Sequence, residues 1–373
     1  MSNTLIIIAH SARALTESAS RAGYDVIAVD AFADSETRLC AQAYFRINLV
    51  HGRWPQQRLE STLTLLKQNY PRARVLLGAG AEHLAAEITA HASWRLCGDA
   101  SAISKILDPH YFFHSLDELA VKYPVTQFTP PKLNSTWLTK TRHSCGGTGV
   151  LRNAQAGTDG GHYWQQEVPG LPISVLCLAQ TNTVHRLGIN RQFVNPDLAA
   201  DYPFIFAGVQ ANYPIATTIG SIIDRYISAL ADYFNYLGVF SLDMMWSQQS
   251  LYVLEMNPRI AASFELYEQL NPELNLVDAH IRVCDREQLT TVGSLATHRH
   301  AYRIVYAPQD IRIPASIIWP DWAKDRPPQG YRIAQGEPLC SVHSLGAELD
   351  PAEPMLLLQQ RECELLKLLD SYN

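Results

Sequence analysis

The sequence predicts a multidomain α/β protein of the α+β type. An open, Rossmann-like α/β domain comes first, two central lobes follow, and a small β-rich domain ends in a helix. Three observations carry this. Leu5 to Ala9 is an apolar run rich in β-branched residues, Arg13 to Ala22 is a helical stretch stopped by Gly23, and Asp25 to Asp30 is a second apolar run; strand, helix and strand in that order open a parallel sheet. Ile219, Ile222, Ile223, Tyr226, Ile227, Leu230, Ala231, Phe234 and Leu237 recur at three- and four-residue steps, an amphipathic helix whose apolar stripe serves core packing. From about residue 296 the texture changes to short strands and turns.

Val75-Leu-Leu followed by Gly78-Ala-Gly80 adds a further strand and a glycine turn, so residues 1–97 form the first domain. The loop after the first strand reads His10-Ser11-Ala12-Arg13, which lacks the spaced glycines of a dinucleotide site. Residues 98–170 hold helical stretches over Ser101 to Leu107 and Ser115 to Val121, a connector marked by Pro124, Pro130 and Pro131, the strand Thr136 to Lys140, a glycine loop, and a strand over Tyr163 to Val168. Residues 171–295 carry the long helix and two apolar runs, Val239 to Met245 and Leu251 to Met256. The polar turn Ser247-Gln-Gln-Ser250 parts them, so they read as a hairpin. Residues 296–373 comprise Ala301 to Ala307, a proline-rich segment over 314–328, Gly330 to Val342, and a closing helix from Pro354 to Leu369.

At 47% hydrophobic and 18% charged, 373 residues suffice for two to four ordinary domains with large cores. A net charge of -6 with no basic run argues against a dedicated nucleic-acid or membrane-surface binder and leaves a small molecule as the default partner. The seven cysteines show no Cys-x-x-Cys pair, so neither a disulfide framework nor a zinc site is signalled, and they read as reduced cytoplasmic residues. The apolar run near Met1 lacks a basic flank and reads as a buried strand; no stretch approaches membrane-spanning length.

The hairpin concentrates chemistry. Asp243 on its first arm can lie across from Glu255 and Asn257 on its second, and residues two apart on a strand share a face. Carboxylate and amide oxygens are hard ligands of the kind Mg2+ takes, one or two from protein with water and phosphate completing the shell. Upstream, Lys140 stands at a strand end before Thr141-Arg-His-Ser-Cys-Gly146-Gly147-Thr148-Gly149. Glycines let backbone amides approach phosphate oxygens, and the lysine adds a point charge for the same anion. No Gly-Lys-Ser/Thr follows, so this is not a Walker loop. Gln165-Gln-Glu167-Val168-Pro-Gly then links two strands, a hinge whose backbone and apolar neighbours at Glu167 and Val168 suit an adenine ring.

A lysine with a glycine loop, a Pro-Gly hinge, and then Asp and Glu-x-Asn-Pro-Arg on a hairpin together resemble the ATP-grasp superfamily, over most of the chain. The segment Asn257-Pro-Arg259 to Glu265 is similar to the carboligase-like branch related to biotin carboxylase and carboxylate-amine ligases. The resemblance implies an ATP-grasp fold. Residues 1–97 would be a pre-ATP-grasp domain, 98–170 the lysine and glycine-loop lobe, 171–295 the metal lobe, and 296–373 the β-rich domain. It implies ATP and Mg2+ (or Mn2+) as cofactors, with Lys140 on the α and β phosphates and Gly146, Gly147 and Gly149 covering the phosphates. Gln165, Glu167 and Val168 would face the nucleotide; Asp243, Glu255 and Asn257 would hold metal; Arg259 would face the transferred phosphate. Two departures stand out. Gly98-Asp99 is followed by Ala100 where the family often has a lysine, which leaves Lys105 as the substitute, and the ribose-holding acid falls near Pro172, which leaves sugar recognition to a neighbour such as Glu167.

The activity implied is ATP-dependent ligation of a small-molecule carboxylate to an amine or thiol through an acyl phosphate, with amino-acid ligation in a cofactor pathway as an analogy. A biotin-carboxylase-like carboxylase and a non-catalytic ATP-binding module are the alternatives. His10, Arg13 and His143 are candidates for contacting the acceptor, and Glu265 and Glu268 for binding an amine. Cys145 is assigned no role. Homodimers are common among similar proteins, although no interface signature is legible in the sequence.

Overall fold

A computed structural model describes residues 3–50, 52–90, 94–131, 136–152, 160–194, 202–248, 250–290, 299–344 and 353–372. The chain opens with β1 (Thr4–Ile8), α1 (Arg13–Arg21), β2 (Asp25–Asp30), α2 (Ser35–Cys40), β3 (Ala43–Arg46), α3 (Gln56–Asn69), β4 (Arg74–Leu77), α4 (Ala85–Thr89) and β5 (Arg95–Leu96). The five strands form a parallel sheet in the order β3-β2-β1-β4-β5. Ile6 and Ile8 enter one apolar core and Leu5 and Ile7 another, so β1 is buried on both faces. This explains its unbroken apolar run, the pattern of a covered parallel strand. Leu59, Leu63 and Leu66 turn α3 onto the same sheet. The chain runs β1-β2-β3 outward on one side, then crosses to β4. The reversal lies between the C-terminal ends of β1 and β4, the position where open α/β sheets form a ligand crevice.

Two helices follow, α5 (Ala100–Leu107) and α6 (Pro109–Glu118). Asp99 caps α5 by accepting from the Ala102 amide at 2.8 Å, and Asp108 caps α6 through the His110 amide at 2.8 Å with Pro109 in the first turn. The second helix was expected over Ser115 to Val121. It starts six residues earlier because Asp108-Pro109 is an N-terminal cap, and Ala120 at φ +50° already lies beyond its end.

Strands β6 (Thr126–Gln127), β7 (Trp137–Thr141), β8 (Val150–Arg152) and β9 (His162–Gln166) form an antiparallel sheet in the order β6-β9-β7-β8. The chain continues through β10 (Leu171–Gln180), β11 (Thr183–Val194), β12 (Phe206–Gln210), α7 (Thr217–Phe234), β13 (Gly238–Ser247), β14 (Ser250–Asn257), α8 (Phe264–Leu270) and α9 (Leu276–Cys284). Helix α7 buries Ile219, Ile223, Ile227 and Leu230 along the stripe read from the sequence, each contributing about 2 kcal/mol, and ends where Asn235 turns left-handed at φ +48°. Ile173, Val175 and Cys177 of β10 join the core beneath α7, whereas Leu176 and Leu178 face α8 and α9.

The last part holds β15 (Ala301–Tyr306), β16 (Ile311–Arg312), β17 (Ala323–Lys324), β18 (Arg332–Ile333), β19 (Pro338–His343) and α10 (Glu353–Asp370). Among the described residues β16 and β18 pair only with each other, while β15, β19 and β17 extend the central sheet: a single antiparallel sheet runs β14-β13-β10-β11-β12-β15-β19-β17, joined across the middle by Val209 opposite Tyr302. The boundary expected near residue 296 lies outside the described residues. A separate apolar cluster, with Ile313, Leu339, Val342, Leu358 and Leu365, packs α10 onto β15 and β19. No helix among the described residues is long and apolar enough to cross a membrane.

Candidate active site

The β13–β14 hairpin pairs Asp243 directly with Glu255 and Ser241 with Asn257. A register shift after Asp243 is followed by Met244 opposite Val253, and the irregularity sits beside the acidic pair. Asn257 Nδ2 donates to Asp243 Oδ2 at 3.2 Å, while Asp243 Oδ1 is buried with no hydrogen-bond partner among the described residues. Burial first, and then the Glu255 carboxylate, push the Asp243 carboxyl up to about 7, against the opposing pull of Arg259, Gln192 and Asn257. A buried carboxylate oxygen with no hydrogen bond, beside a second carboxylate, is an environment that favours a cation. Two carboxylates and an amide suit Mg2+, which keeps several waters and binds phosphate alongside one or two carboxylates. Among the described residues no group of three or more His, Cys, Asp or Glu is placed to hold a metal ion.

Arg259 follows the hairpin. Its Nε donates to Glu82 Oε1 at 2.7 Å and its NH2 group to Asn257 Oδ1 at 3.1 Å. Glu82 opens the short helical turn after β4, so this pair ties the first domain to the hairpin.

Lys140 is buried on β7, opposite Val150 on one side and Tyr163 on the other. Burial lowers the pKa of its ammonium below the ordinary value, and Glu255 and Asp243 oppose that shift, so the lysine faces the acidic pair across the cleft. The loop after it closes on itself through Thr141 N to Gly149 O at 2.8 Å and Val150 N to Gly147 O at 3.2 Å. Gly147, at φ +78°, passes so close to Phe204 that a Cβ would sit 2.0 Å from that carbonyl oxygen, and the Gly146 carbonyl accepts from the Phe206 amide at 3.0 Å. The loop is thus docked on the start of β12.

Lys140, Gly146, Gly147, Gln165, Glu167, Val168, Asp243, Glu255, Asn257 and Arg259 all line one cleft of about 470 Å3, well within the size range of a nucleotide or cofactor site. Ile106, Phe112, Leu138, Tyr163, Met245 and Leu254 give it apolar walls. Two of the sequence expectations land elsewhere, and a third lines the cleft with its carboxylate already engaged. Lys105 is exposed, with its ammonium 5.6 Å from the Tyr111 ring, because it lies on the outward face of α5 whose inward face is Ala102, Ile103 and Ile106. Gly149 does not line the cleft; a Cβ there would strike the Ser144 side chain at 2.4 Å, so its role is to close the hairpin. The Glu167 carboxylate is held by Arg152 in two bonds of 2.9 and 2.7 Å, which leaves its backbone rather than its acid for a ligand.

Of the acceptor candidates, His143 lines the cleft and Arg13, Glu265, Glu268 and His10 do not. Arg13 is 2% exposed and bonded to Glu265 and Asp325, and Glu268 accepts from Ser18 Oγ and the Leu276 amide. Burial pushes the Cys145 thiol up to about 12, which makes it a poor nucleophile. Glu82, His83 and Gln192 were not found from sequence. Glu82 and His83 lie just after the Gly78-Ala-Gly80 turn at the end of a parallel strand, and that position was the available signal.

No curated protein sequence matches the chain. The profile of the ATP-grasp domain matches residues 108–263. Among solved structures, pyruvate carboxylase from Rhizobium etli is similar over 96% of this chain at 14% identity and a TM-score of 0.73, although the chain spans only 36% of that protein's length. N5-carboxyaminoimidazole synthetase from Staphylococcus aureus, complexed with ADP, is similar at 13% identity and a TM-score of 0.69, with 96% of both chains covered. L-amino acid ligase from Bacillus licheniformis gives 12% identity, 96% of both chains and a TM-score of 0.69. With Lys140 and the acidic hairpin facing one cleft between two antiparallel sheets, the chain has the ATP-grasp fold and carries an ATP-grasp domain over residues 108–263.

Proposed function

We propose that this protein is an ATP-dependent ligase that joins a small-molecule carboxylate to an amine through an acyl phosphate. The observation that carries the reading is the convergence of Lys140, Asp243, Glu255, Asn257 and Arg259 on one cleft that also has an apolar end at the Glu167–Val168 hinge. The hinge, with Phe112 and Leu138 among the apolar walls, would hold adenine, and the Gly146-Gly147 turn would hold the phosphates. Mg2+, held by Asp243, Glu255 and Asn257, supplies neutralisation of the terminal phosphates when bound. Lys140 and Arg259 place positive charge where negative charge develops during phosphoryl transfer, the kind of preorganised electrostatics that is usually the largest catalytic contribution. A substrate carboxylate oxygen bonds to the γ-phosphorus as ADP leaves; the amine nitrogen then bonds to the acyl carbon as phosphate leaves, and the amine gives up a proton.

A bicarbonate-using carboxylase is the second reading, favoured by the fold likeness to pyruvate carboxylase. Release of ADP and phosphate from Mg-ATP, measured across a panel of carboxylates and amines and with bicarbonate, separates the two. Ligation requires both co-substrates together, whereas stimulation by bicarbonate without an amine favours the carboxylase. Under the ligase reading, Glu255→Gln abolishes turnover while the melting temperature holds, and Lys140→Ala raises the ATP concentration needed at least tenfold. Wild-type turnover in Glu255→Gln would remove the metal assignment.

A further inference from the structure

The Arg259–Glu82 pair poses an electrostatic problem for the proposed reaction. Both side chains are almost buried, 12% and 11% exposed, and the guanidinium is divided between Glu82 of the first domain and Asn257 of the hairpin. If Arg259 turns toward a transferred phosphate, Glu82 stays behind as a buried carboxylate without its cation. Breaking a buried pair by removing one partner is among the costlier single changes in a protein.

The neighbouring imidazoles do not fill the gap. Burial depresses His10 to about 4 despite the pull of Glu82, with His83 and Arg259 adding to the depression. His83 is lowered by burial and by His143, with Glu82 and Glu87 opposing and Arg53 reinforcing. His143 in turn is lowered by burial, Arg142 and Arg53, against Asp108 and Glu82. At neutral pH this end of the cleft therefore offers Glu82 no second positive charge from these rings. The position is also where the sheet topology puts a ligand, since Glu82 stands beside the crevice between the ends of β1 and β4.

We infer that Glu82 is the receptor for the acceptor's ammonium group, and that arrival of this cation releases Arg259 from Glu82 to the phosphate. This rests on the ligase reading and adds to it a coupling device. Without an amine, Arg259 is held back and ATP is spared; with one, the substrate's charge replaces the arginine's at Glu82. The acceptor class is a primary amine that enters as a cation; it gives one proton to Glu82 before its nitrogen attacks the acyl carbon, and a second leaves with phosphate as the amide forms. In the empty-acceptor state the competing reaction is hydrolysis, in which water oxygen bonds to the γ-phosphorus, the bond to ADP breaks, and the water's proton leaves with phosphate or solvent.

The experiment measures phosphate release from Mg-ATP with no carboxylate and no amine present, for the wild type, Glu82→Gln, Glu82→Asp and the double variant Glu82→Gln/Arg259→Ala. Calorimetric binding of the Mg2+ complex of a non-hydrolysable ATP analogue is recorded for each. Glu82→Gln is expected to raise basal hydrolysis roughly tenfold or more with nucleotide affinity within threefold of wild type. Glu82→Asp, which keeps the charge but draws it back by one methylene, is expected to raise the basal rate less than Glu82→Gln does, and the double variant loses the gain because the effect runs through Arg259. An unchanged or lower basal rate in Glu82→Gln, or equal rises in the Gln and Asp variants, overturns the coupling while leaving the ligase reading standing. Failure of the wild type to bind the nucleotide analogue overturns both.

Discussion

His280 on α9 is held in one tautomer by two backbone groups. Its Nδ1 accepts from the Val239 amide at 2.9 Å, and its Nε2 lies 3.1 Å from the Cys97 carbonyl, an acceptor only, so Nε2 carries the proton. Protonating Nδ1 would set donor against donor, and burial lowers the pKa from 6.5 to about 4. The folded chain therefore binds this proton less readily than the unfolded one. Stability is full above about pH 6.5 and falls as pH drops toward 4, by on the order of 3 kcal/mol from this residue. Urea unfolding at pH 7.5 and 4.5 tests this: His280→Gln should be less stable at pH 7.5 and show a smaller drop between the two. Some acid sensitivity remains, since His10 and His343 are lowered in the same direction by burial. An undiminished drop in the variant would show that His280 is not an acid-sensitive group.

Among the elements, the glycine loop separates two roles that look alike in sequence. Gly146 and Gly147 both have positive φ, +64° and +78°, but a Cβ on Gly146 meets nothing within 4 Å, whereas one on Gly147 collides with the Phe204 backbone. Gly146→Ala carries the backbone strain alone, roughly 1 kcal/mol. Gly147→Ala must also lift the loop from the start of β12, which under the proposed function displaces the turn that covers the phosphates. Calorimetry with a non-hydrolysable ATP analogue should show an affinity loss of at least tenfold for Gly147→Ala and under threefold for Gly146→Ala; equal losses would mean that docking on Phe204 does not set the loop's position. The pattern Gly-Gly-x-Gly was enough to locate the loop but not to rank its members, because what each glycine meets depends on a segment some sixty residues away. The hairpin was legible almost to the residue, since its two arms carry their own apolar patterns and Asp243 faces Glu255 by register alone. Lys105 misled for the opposite reason: a lysine one helical turn from a motif says nothing of the face it occupies until Ile103 and Ile106 are seen to claim the inward one. Glu82, which no local motif marks, becomes visible only when β4 is placed beside β1.

At the scale of the molecule, Arg13 joins three parts of the chain. From α1 it reaches Glu265 on α8 through bonds of 2.5 and 3.0 Å, and Asp325 beyond β17 through bonds of 2.9 and 3.1 Å. Ser341 of β19 donates to Asp325 as well, and Arg326 bonds Glu36 of α2 at 2.6 Å, so α1, α2, α8 and the late strands share one largely buried polar seam. Arg13→Ala leaves Glu265 buried and Asp325 half-buried without their cation, at a cost of roughly 3 kcal/mol. Thermal or urea unfolding measures it, and a midpoint within experimental scatter of the wild type would show that the seam is not a structural tie. The basic residue was noticed in sequence as a candidate for substrate, because nothing in the first domain alone reveals partners 252 and 312 residues away.

The continuous sheet from β14 to β17 has a consequence for how the chain is made. Strand β12 finds β11 soon after both leave the ribosome, but its other edge waits for Ala301–Tyr306. Until then the backbone of Phe206–Gln210 stands as an open edge, the sort of surface that recruits a foreign strand. Gly208 at φ +144° distorts that edge and interrupts the run of side chains along it, which makes it a poorer template for another copy during synthesis. The same glycine leaves room for the close approach of Tyr302, whose carbonyl oxygen would lie 2.3 Å from a Cβ there. The edge is thus shaped for the one partner that arrives last.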